Sequence, residues 1–193
     1  MSLSTLQQPM ALASFAVLAV LLTAAVMSDV KSRRIPNRLV VHGLALAAGI
    51  HLVSVFLGQA TLAPPALWSP LAGMLAGLAF LLPLYLIRAC GAGDVKLMAM
   101  VGAFVGPGVA LSAGVYTLVA GGVLSLAVMA LHGVTAQTLA NVRFILTEWR
   151  MRAHTGNDLR LAPLSTTAAR LPYGVAIAAG TLLALLRPLA LLS

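Results

Sequence analysis

The chain has 193 residues, of which 61% are hydrophobic and 8% are charged, and its formal net charge at pH 7 is +8. So few polar side chains cannot cover a water-soluble globule of this length, which excludes an ordinary soluble domain. The single cysteine, Cys90, excludes an intramolecular disulfide and a Cys-x-x-Cys zinc cluster. The basic residues lie between apolar segments, so the positive charge indicates membrane topology and no nucleic-acid partner.

The apolar segments predict an all-α, polytopic membrane protein with about six transmembrane helices, since about 20 apolar residues span a bilayer as a helix. They cover residues 9–28, 39–57, 67–87, 95–105, 109–131 and 171–192. Residues 95–105 are too few to cross alone, so they form a short span or the first half of a kinked helix through Gly106-Pro107-Gly108. We expect residues 1–193 to form a single membrane-embedded domain.

The distribution of basic residues predicts which loops face the cytoplasm. A turn at Gly106-Pro107-Gly108 puts eleven of the twelve basic residues on the cytoplasmic side, with Arg187 as the exception. The long loop of residues 132–170 is then cytoplasmic. Within it, residues 138–152 mix apolar and basic side chains, which fits an interfacial helix on the cytoplasmic leaflet or an ordinary solvated helix.

Two of the four carboxylates in the chain adjoin predicted spans. Glu148 and Asp158 lie in the long loop, whereas Asp29 follows the first span and Asp94 precedes the fourth. An ionisable residue at such a position is costly and indicates a functional site. The predicted topology puts Asp29 and Asp94 at cytoplasmic helix ends, where they can approach each other.

Paired carboxylates carry out aspartic protease chemistry. Two that lie close together share a proton, so that one activates a water molecule while the other donates a proton to a carbonyl oxygen. This chemistry requires no metal and no cofactor, and we expect neither.

Other roles for these two residues stay open at this point. Asp94 is equally well placed to cap the helix that begins beside it, and Asp29 can form a surface ion pair with the basic residues that follow it. A small proton-coupled transporter is the alternative function, because intramembrane aspartates also relay ions, although a carrier site is expected near the midplane. A non-catalytic pilus assembly factor is a further alternative.

Two motifs around the aspartates resemble those of the type IV prepilin peptidase family of membrane aspartyl proteases. The first begins at Asp29, continues through a basic stretch and ends with Ile35, Pro36 and Asn37. The second has the pattern Gly-x-Gly-Asp-x-Lys, formed here by Gly91, Gly93, Asp94 and Lys96. A third, softer similarity is Pro172, an aromatic residue and Gly174 at the start of the last span.

The resemblance implies an intramembrane-type aspartic endopeptidase with Asp29 and Asp94 as its catalytic residues and the other motif residues in support. It implies a prepilin or pseudopilin substrate, with a basic leader, a Gly before the scissile bond and an apolar helix after it. The enzyme would lie in the lipid bilayer of the bacterial inner membrane, with its active site facing the cytoplasm. The sequence indicates neither a particular pilin nor an oligomeric state.

Larger family members carry an insertion with two Cys-x-x-Cys pairs, which is linked to N-methylation of the cleaved pilin. This chain lacks the cysteines and the insertion. It resembles the short form found with tight-adherence pili, so the resemblance implies peptidase activity without methyltransferase activity.

The motif residues also have local physical roles. Pro36 fixes its own backbone and biases Ile35 away from helix, which predicts a break after the first span. Gly91 and Gly93 lack a Cβ atom, so the backbone can turn there and a substrate strand can approach Asp94. Lys96 lies off the face of Asp94, and the sequence does not assign it a role; the simplest interpretation is extension of its side chain towards the phosphate region.

Overall fold

The computed structural model describes residues 9–87, 89–132, 143, 147 and 173–187. This part of the chain contains helices and connections and no strand, which confirms the all-α prediction. The helices are α1 (Pro9–Ser32), α2 (Asn37–Phe56), α3 (Ser69–Leu86), α4 (Ala92–His132) and α5 (Tyr173–Leu186). Apart from residues 143 and 147, the predicted interfacial helix over residues 138–152 lies outside the described residues, as does the support residue Pro172.

Four of these helices are long and apolar enough to cross a membrane: α1, α2, α3 and α4. Large apolar side chains such as Val20 and Leu12 point outward, at 68% and 58% exposure. A surface of this kind is unfavourable in water and natural in lipid, so the chain is an all-helical membrane protein. The 14 residues of α5 rise only about 21 Å. A count of six spans therefore stays a prediction.

The long helix α4 folds back on itself at Gly106. This residue has φ 78° and ψ 172°, a backbone conformation that side chains with a Cβ atom rarely adopt. A Cβ atom on Gly102 would lie 3.3 Å from the Cβ atom of Ala110. Eight residues of a straight helix would separate these positions by about 12 Å. Residues 92–105 and 107–132 are therefore two arms of a helical hairpin, as the Gly106-Pro107-Gly108 turn predicted.

Contacts between the helices define the direction of each one. The first arm of α4 runs antiparallel to α3, and small residues let them touch, since the carbonyl group of Gly102 meets Gly73 directly. The second arm runs antiparallel to α5, because Thr117 contacts Gly180 and Gly121 contacts Tyr173. The ends of α1, α3 and the second arm, and the starts of α2, α4 and α5, consequently lie at one end of the bundle.

The buried core lies where the first arm of α4 meets the helices around it. The side chains of this core are apolar and interdigitate. Their close packing holds the end of α1, which carries Asp29, and the start of α4, which carries Asp94, in fixed positions. The largest fully buried apolar side chains are Leu18, Leu81, Leu97, Met98, Met100 and Ile177.

The connection between α1 and α2 differs in one respect from the prediction. The helix α1 continues to Ser32, past the expected end at residue 28, so Asp29 lies within its last turn. In this extra turn Ser32 Oγ donates to the Ser28 carbonyl oxygen at 2.8 Å. The predicted break at Pro36 is confirmed, since Pro36 has φ −64° and ψ 130° and α2 begins directly after it.

Candidate active site

Asp29 lies in the last turn of α1 and is only 7% exposed. Its Oδ2 atom accepts a hydrogen bond of 2.7 Å from the backbone N–H of Gly174. Gly174 is the second residue of α5, so this N–H is one of the free first-turn donors of that helix. The positive end of the α5 dipole therefore faces a carboxylate that the C-terminal end of α1 would disfavour.

The contact between α1 and α5 requires glycine at position 174. A Cβ atom there would lie 2.9 Å from Asp29 Oδ2 and 3.3 Å from Asp29 Cβ. Both distances are shorter than ordinary van der Waals separation. The glycine of the third motif thus brings a backbone donor against the carboxylate.

The basic turn after Asp29 is folded against α1. Arg33 has φ 53° and donates its N–H to the Asp29 carbonyl oxygen at 2.8 Å, the pattern of a left-handed helix cap. Ser28 Oγ donates to the Arg34 carbonyl oxygen at 2.8 Å. The side chains of Lys31, Arg33 and Arg34 are exposed. Within the described residues none of them pairs with Asp29, so the structure does not support the surface ion-pair alternative.

Asp94 is the third residue of α4 and is half-buried. Its Oδ2 atom accepts a 2.9 Å hydrogen bond from the N–H of Gly91, and its own N–H donates to the Gly91 carbonyl oxygen at 3.1 Å. The bond from the Gly91 N–H to Asp94 Oδ2 is one half of a capping box, so Asp94 does help to cap α4, although it accepts from the residue before the helix and not from first-turn amides. This bond occupies one carboxylate oxygen and leaves Oδ1 without a hydrogen-bond partner in the described part of the chain.

The two sequence motifs contact each other directly. Lys96 Nζ donates to Asn37 Oδ1 at 3.0 Å. A Cβ atom on Gly93 would lie 3.3 Å from Ile35 Cβ, so Ile35 of the same chain occupies the space beside this glycine. These two contacts hold the end of the first motif against the second motif. The sequence did not indicate either contact, because the partners lie far apart along the chain.

The two carboxylates lie at the same end of the bundle, since Ile35, six residues after Asp29, packs against Gly93, the residue before Asp94. Cys90 lies beside the second motif, four residues before Asp94. Burial and the negative charge of Asp94 raise the pKa of the Cys90 thiol to about 11. The sequence alone did not indicate that Cys90 lies at this site, although it stands next to Gly91 of the second motif.

The acidic, histidine and cysteine side chains of the described residues form no group of three or more that could hold a metal ion. The candidate site contains a carboxylate from α1 and one from α4, and each accepts a hydrogen bond from one backbone N–H. Such a pair can move protons to and from a water molecule and a peptide carbonyl group.

Comparison with known proteins identifies the family to which the chain belongs. The sequence profile of the type IV leader peptidase family matches residues 16–126. The chain belongs to the type IV leader peptidase family. The matched residues include Asp29, Asp94 and both motifs around them, and they end before Gly174. No curated protein and no solved structure matches the chain significantly.

Membership of this family confirms the resemblance to prepilin peptidases that the two motifs indicated. The chain is accordingly a membrane peptidase of a family whose substrates are prepilins.

Proposed function

We propose that the chain is an aspartic endopeptidase that removes the leader peptide from prepilin or pseudopilin substrates, with Asp29 and Asp94 as its catalytic pair. One observation carries the proposal. Carboxylates from two separate motifs lie at one end of the bundle, and each has its Oδ2 atom held by a backbone N–H. Their position at one end of the bundle favours this role over a transporter site near the midplane.

The reaction requires one carboxyl group to be protonated and the other ionised. The ionised group takes a proton from water, and the water oxygen bonds to the scissile carbonyl carbon while the protonated group donates its proton to the carbonyl oxygen. The C–N bond of the resulting tetrahedral intermediate then breaks. The leaving amine takes the proton that came from water, and the intermediate returns a hydroxyl proton to the other carboxylate.

The remaining motif residues act in this proposal by positioning the pair. The N–H groups of Gly174 and Gly91 fix one oxygen of each carboxylate, which leaves the other for water or substrate. The hydrogen bond between Lys96 and Asn37 holds the start of α2 beside the start of α4. Pro36 ends the connection between α1 and α2, and Ile35 within that connection packs closely against Gly93.

We place the site at the cytoplasmic face of the bacterial inner membrane, in a single domain with six spans and no methyltransferase activity. The exposed basic residues Lys31, Arg33, Arg34 and Arg38 beside the site support this orientation. On a Cys90→Ser background, single cysteines at positions 33 and 59 should differ in labelling by an impermeant thiol reagent added from outside. Labelling at 59 and protection at 33 is expected, and the reverse pattern would contradict the orientation.

Co-expression with a prepilin tests the activity itself. The wild-type chain should convert the prepilin to a smaller product whose new N-terminus lies at the leader junction. Asp29→Asn and Asp94→Asn variants should reach the membrane in normal amounts and leave the prepilin uncut. Absence of cleavage by the wild-type chain, or continued cleavage by either variant, would contradict the proposal.

A further inference from the structure

A groove of about 260 Å³ runs between α1 and α5 on the outside of the bundle. Its floor includes the buried side chains of Leu18, Leu22 and Leu185, and its rim includes Ala19 and Thr23, which are exposed. Because α1 is long and apolar enough to span a membrane, this rim faces lipid. We call this feature the α1–α5 groove.

The groove is apolar even at its two polar residues. The Oγ1 atom of Thr23 donates to the Ala19 carbonyl oxygen at 2.8 Å, and that of Thr181 donates to the Ile177 carbonyl oxygen at 2.7 Å. Each hydroxyl proton is therefore already used within its own helix. Among the described residues, none that lines the groove is charged, and the groove can accept apolar side chains without leaving a polar group of these residues unpaired.

The α1–α5 groove begins one helical turn from the candidate catalytic carboxylate. Val26 lines it and lies three residues before Asp29, and Ala178 lines it and lies four residues after Gly174. The same two helices thus touch where Gly174 binds Asp29 and leave a groove farther into the membrane. From Val26 to Phe15 the groove extends along α1 for about 16 Å.

We propose that the α1–α5 groove docks the apolar helix of the substrate and so sets the distance between that helix and the scissile bond. The inference rests on the proposed function. A polypeptide that is cut beside Asp29 and continues into the bilayer has to be helical there, with apolar side chains facing outward. The volume is below the roughly 300–1,000 Å³ of small-molecule pockets, which suits side chains from one face of a helix.

Disulfide crosslinking in lipid vesicles tests the docking directly. The probe is a synthetic substrate with a basic leader, a Gly before the scissile bond and a Leu-Ala helix of about 20 residues that carries one cysteine. On a Cys90→Ser background, Thr23→Cys should crosslink to this helix at least about tenfold more than Ala24→Cys. Residue 24 is exposed, lies at nearly the same membrane depth as Thr23 and does not line the groove. Its side chain points about 100° away from that of Thr23 around the axis of α1.

Three crosslinking results would overturn the docking proposal. One is equal crosslinking at both positions, and another is no crosslink at Thr23→Cys, which is the result if lipid chains fill the groove. The third is a disulfide between two copies of Thr23→Cys that forms with or without the probe, which would make the groove a contact between copies of this chain.

Filling the groove gives an independent measurement. Ala19→Phe should raise KM for the same probe by about tenfold, because excluding one large apolar side chain changes affinity on that scale. Ala24→Phe adds the same bulk to α1 outside the groove and should leave KM unchanged. If the wild-type chain does not cleave the probe, the proposed function fails. If the wild-type chain cleaves the probe and Ala19→Phe has the wild-type KM, only the docking proposal fails. If the Ala19→Phe protein does not accumulate in the membrane, the crosslinking experiment decides between the outcomes.

Discussion

Substitution of Gly174 by alanine perturbs the candidate site through a single methyl group. The added Cβ atom would lie 2.9 Å from Asp29 Oδ2, 3.3 Å from Asp29 Cβ and 3.4 Å from Asp29 Cγ. Ordinary separations of non-bonded heavy atoms are about 3.5–4.0 Å, so the carboxylate has to move by about half an ångström or α5 has to move away. Either movement lengthens the 2.7 Å hydrogen bond from the Gly174 N–H.

The expected effect is on the chemical step. A misplacement of about 1 Å in a catalytic group can lower the rate by about 100-fold. We therefore expect kcat for leader removal by Gly174→Ala to fall by about 10- to 100-fold, with a small change in KM because the methyl group does not reach the α1–α5 groove.

Purified protein in lipid vesicles, assayed with a prepilin substrate, gives both constants. Gly49→Ala is the matched control, because a Cβ atom on Gly49 would meet nothing within 4 Å. Alanine is also favoured over glycine within a helix, so the control should be as stable as the wild type or more stable. A kcat for Gly174→Ala within about twofold of the wild type, or an equal loss in Gly49→Ala, would refute the reasoning.

Two further predictions concern the second motif. Lys96→Met and Asn37→Leu each remove the same 3.0 Å hydrogen bond, so each should lower the rate of leader removal by about three- to tenfold. The double variant should lose no more activity than either single variant. Additive losses would show that the two side chains act separately. The Cys90 thiol, with a pKa of about 11, should alkylate slowly at about pH 8. Asp94→Asn removes a negative charge that contributes to the raised pKa of Cys90. The pH profile of alkylation should therefore move to lower pH in this variant when it is followed by mass spectrometry. An unchanged profile would contradict the interaction between Asp94 and Cys90.

The hairpin of α4 could be predicted from the sequence because the residues that form its turn are adjacent along the chain. Gly106-Pro107-Gly108 interrupts an apolar segment, and the reversal at Gly106 follows from the backbone that glycine permits. The positive-inside pattern puts Asp29 and Asp94 on one side because each basic loop contributes independently of the others. The same reasoning fails at helix ends, because α1 continues for one more turn to Ser32 although most residues of that turn are polar.

The contacts that orient the carboxylates could not be predicted in this way. Gly174 binds Asp29 across 145 positions of the chain, and Lys96 binds Asn37 across 59. A hydrophobic pattern identifies which residues face a neighbouring helix without specifying which neighbour they meet. Glycine at 174 was noticed through a motif, while its role as a hydrogen-bond donor depends on how α5 packs against α1.

The central claim is that Asp29 and Asp94 work as one catalytic unit. The most direct measurement is kcat for leader removal by purified Asp29→Asn, Asp94→Asn and the double variant, with each protein verified as folded. Residues that act as a unit have non-additive effects, so each single variant should lose about as much as the double variant, at least about 1,000-fold. Substantial activity in either single variant, or a double variant whose loss equals the product of two smaller losses, would contradict the claim.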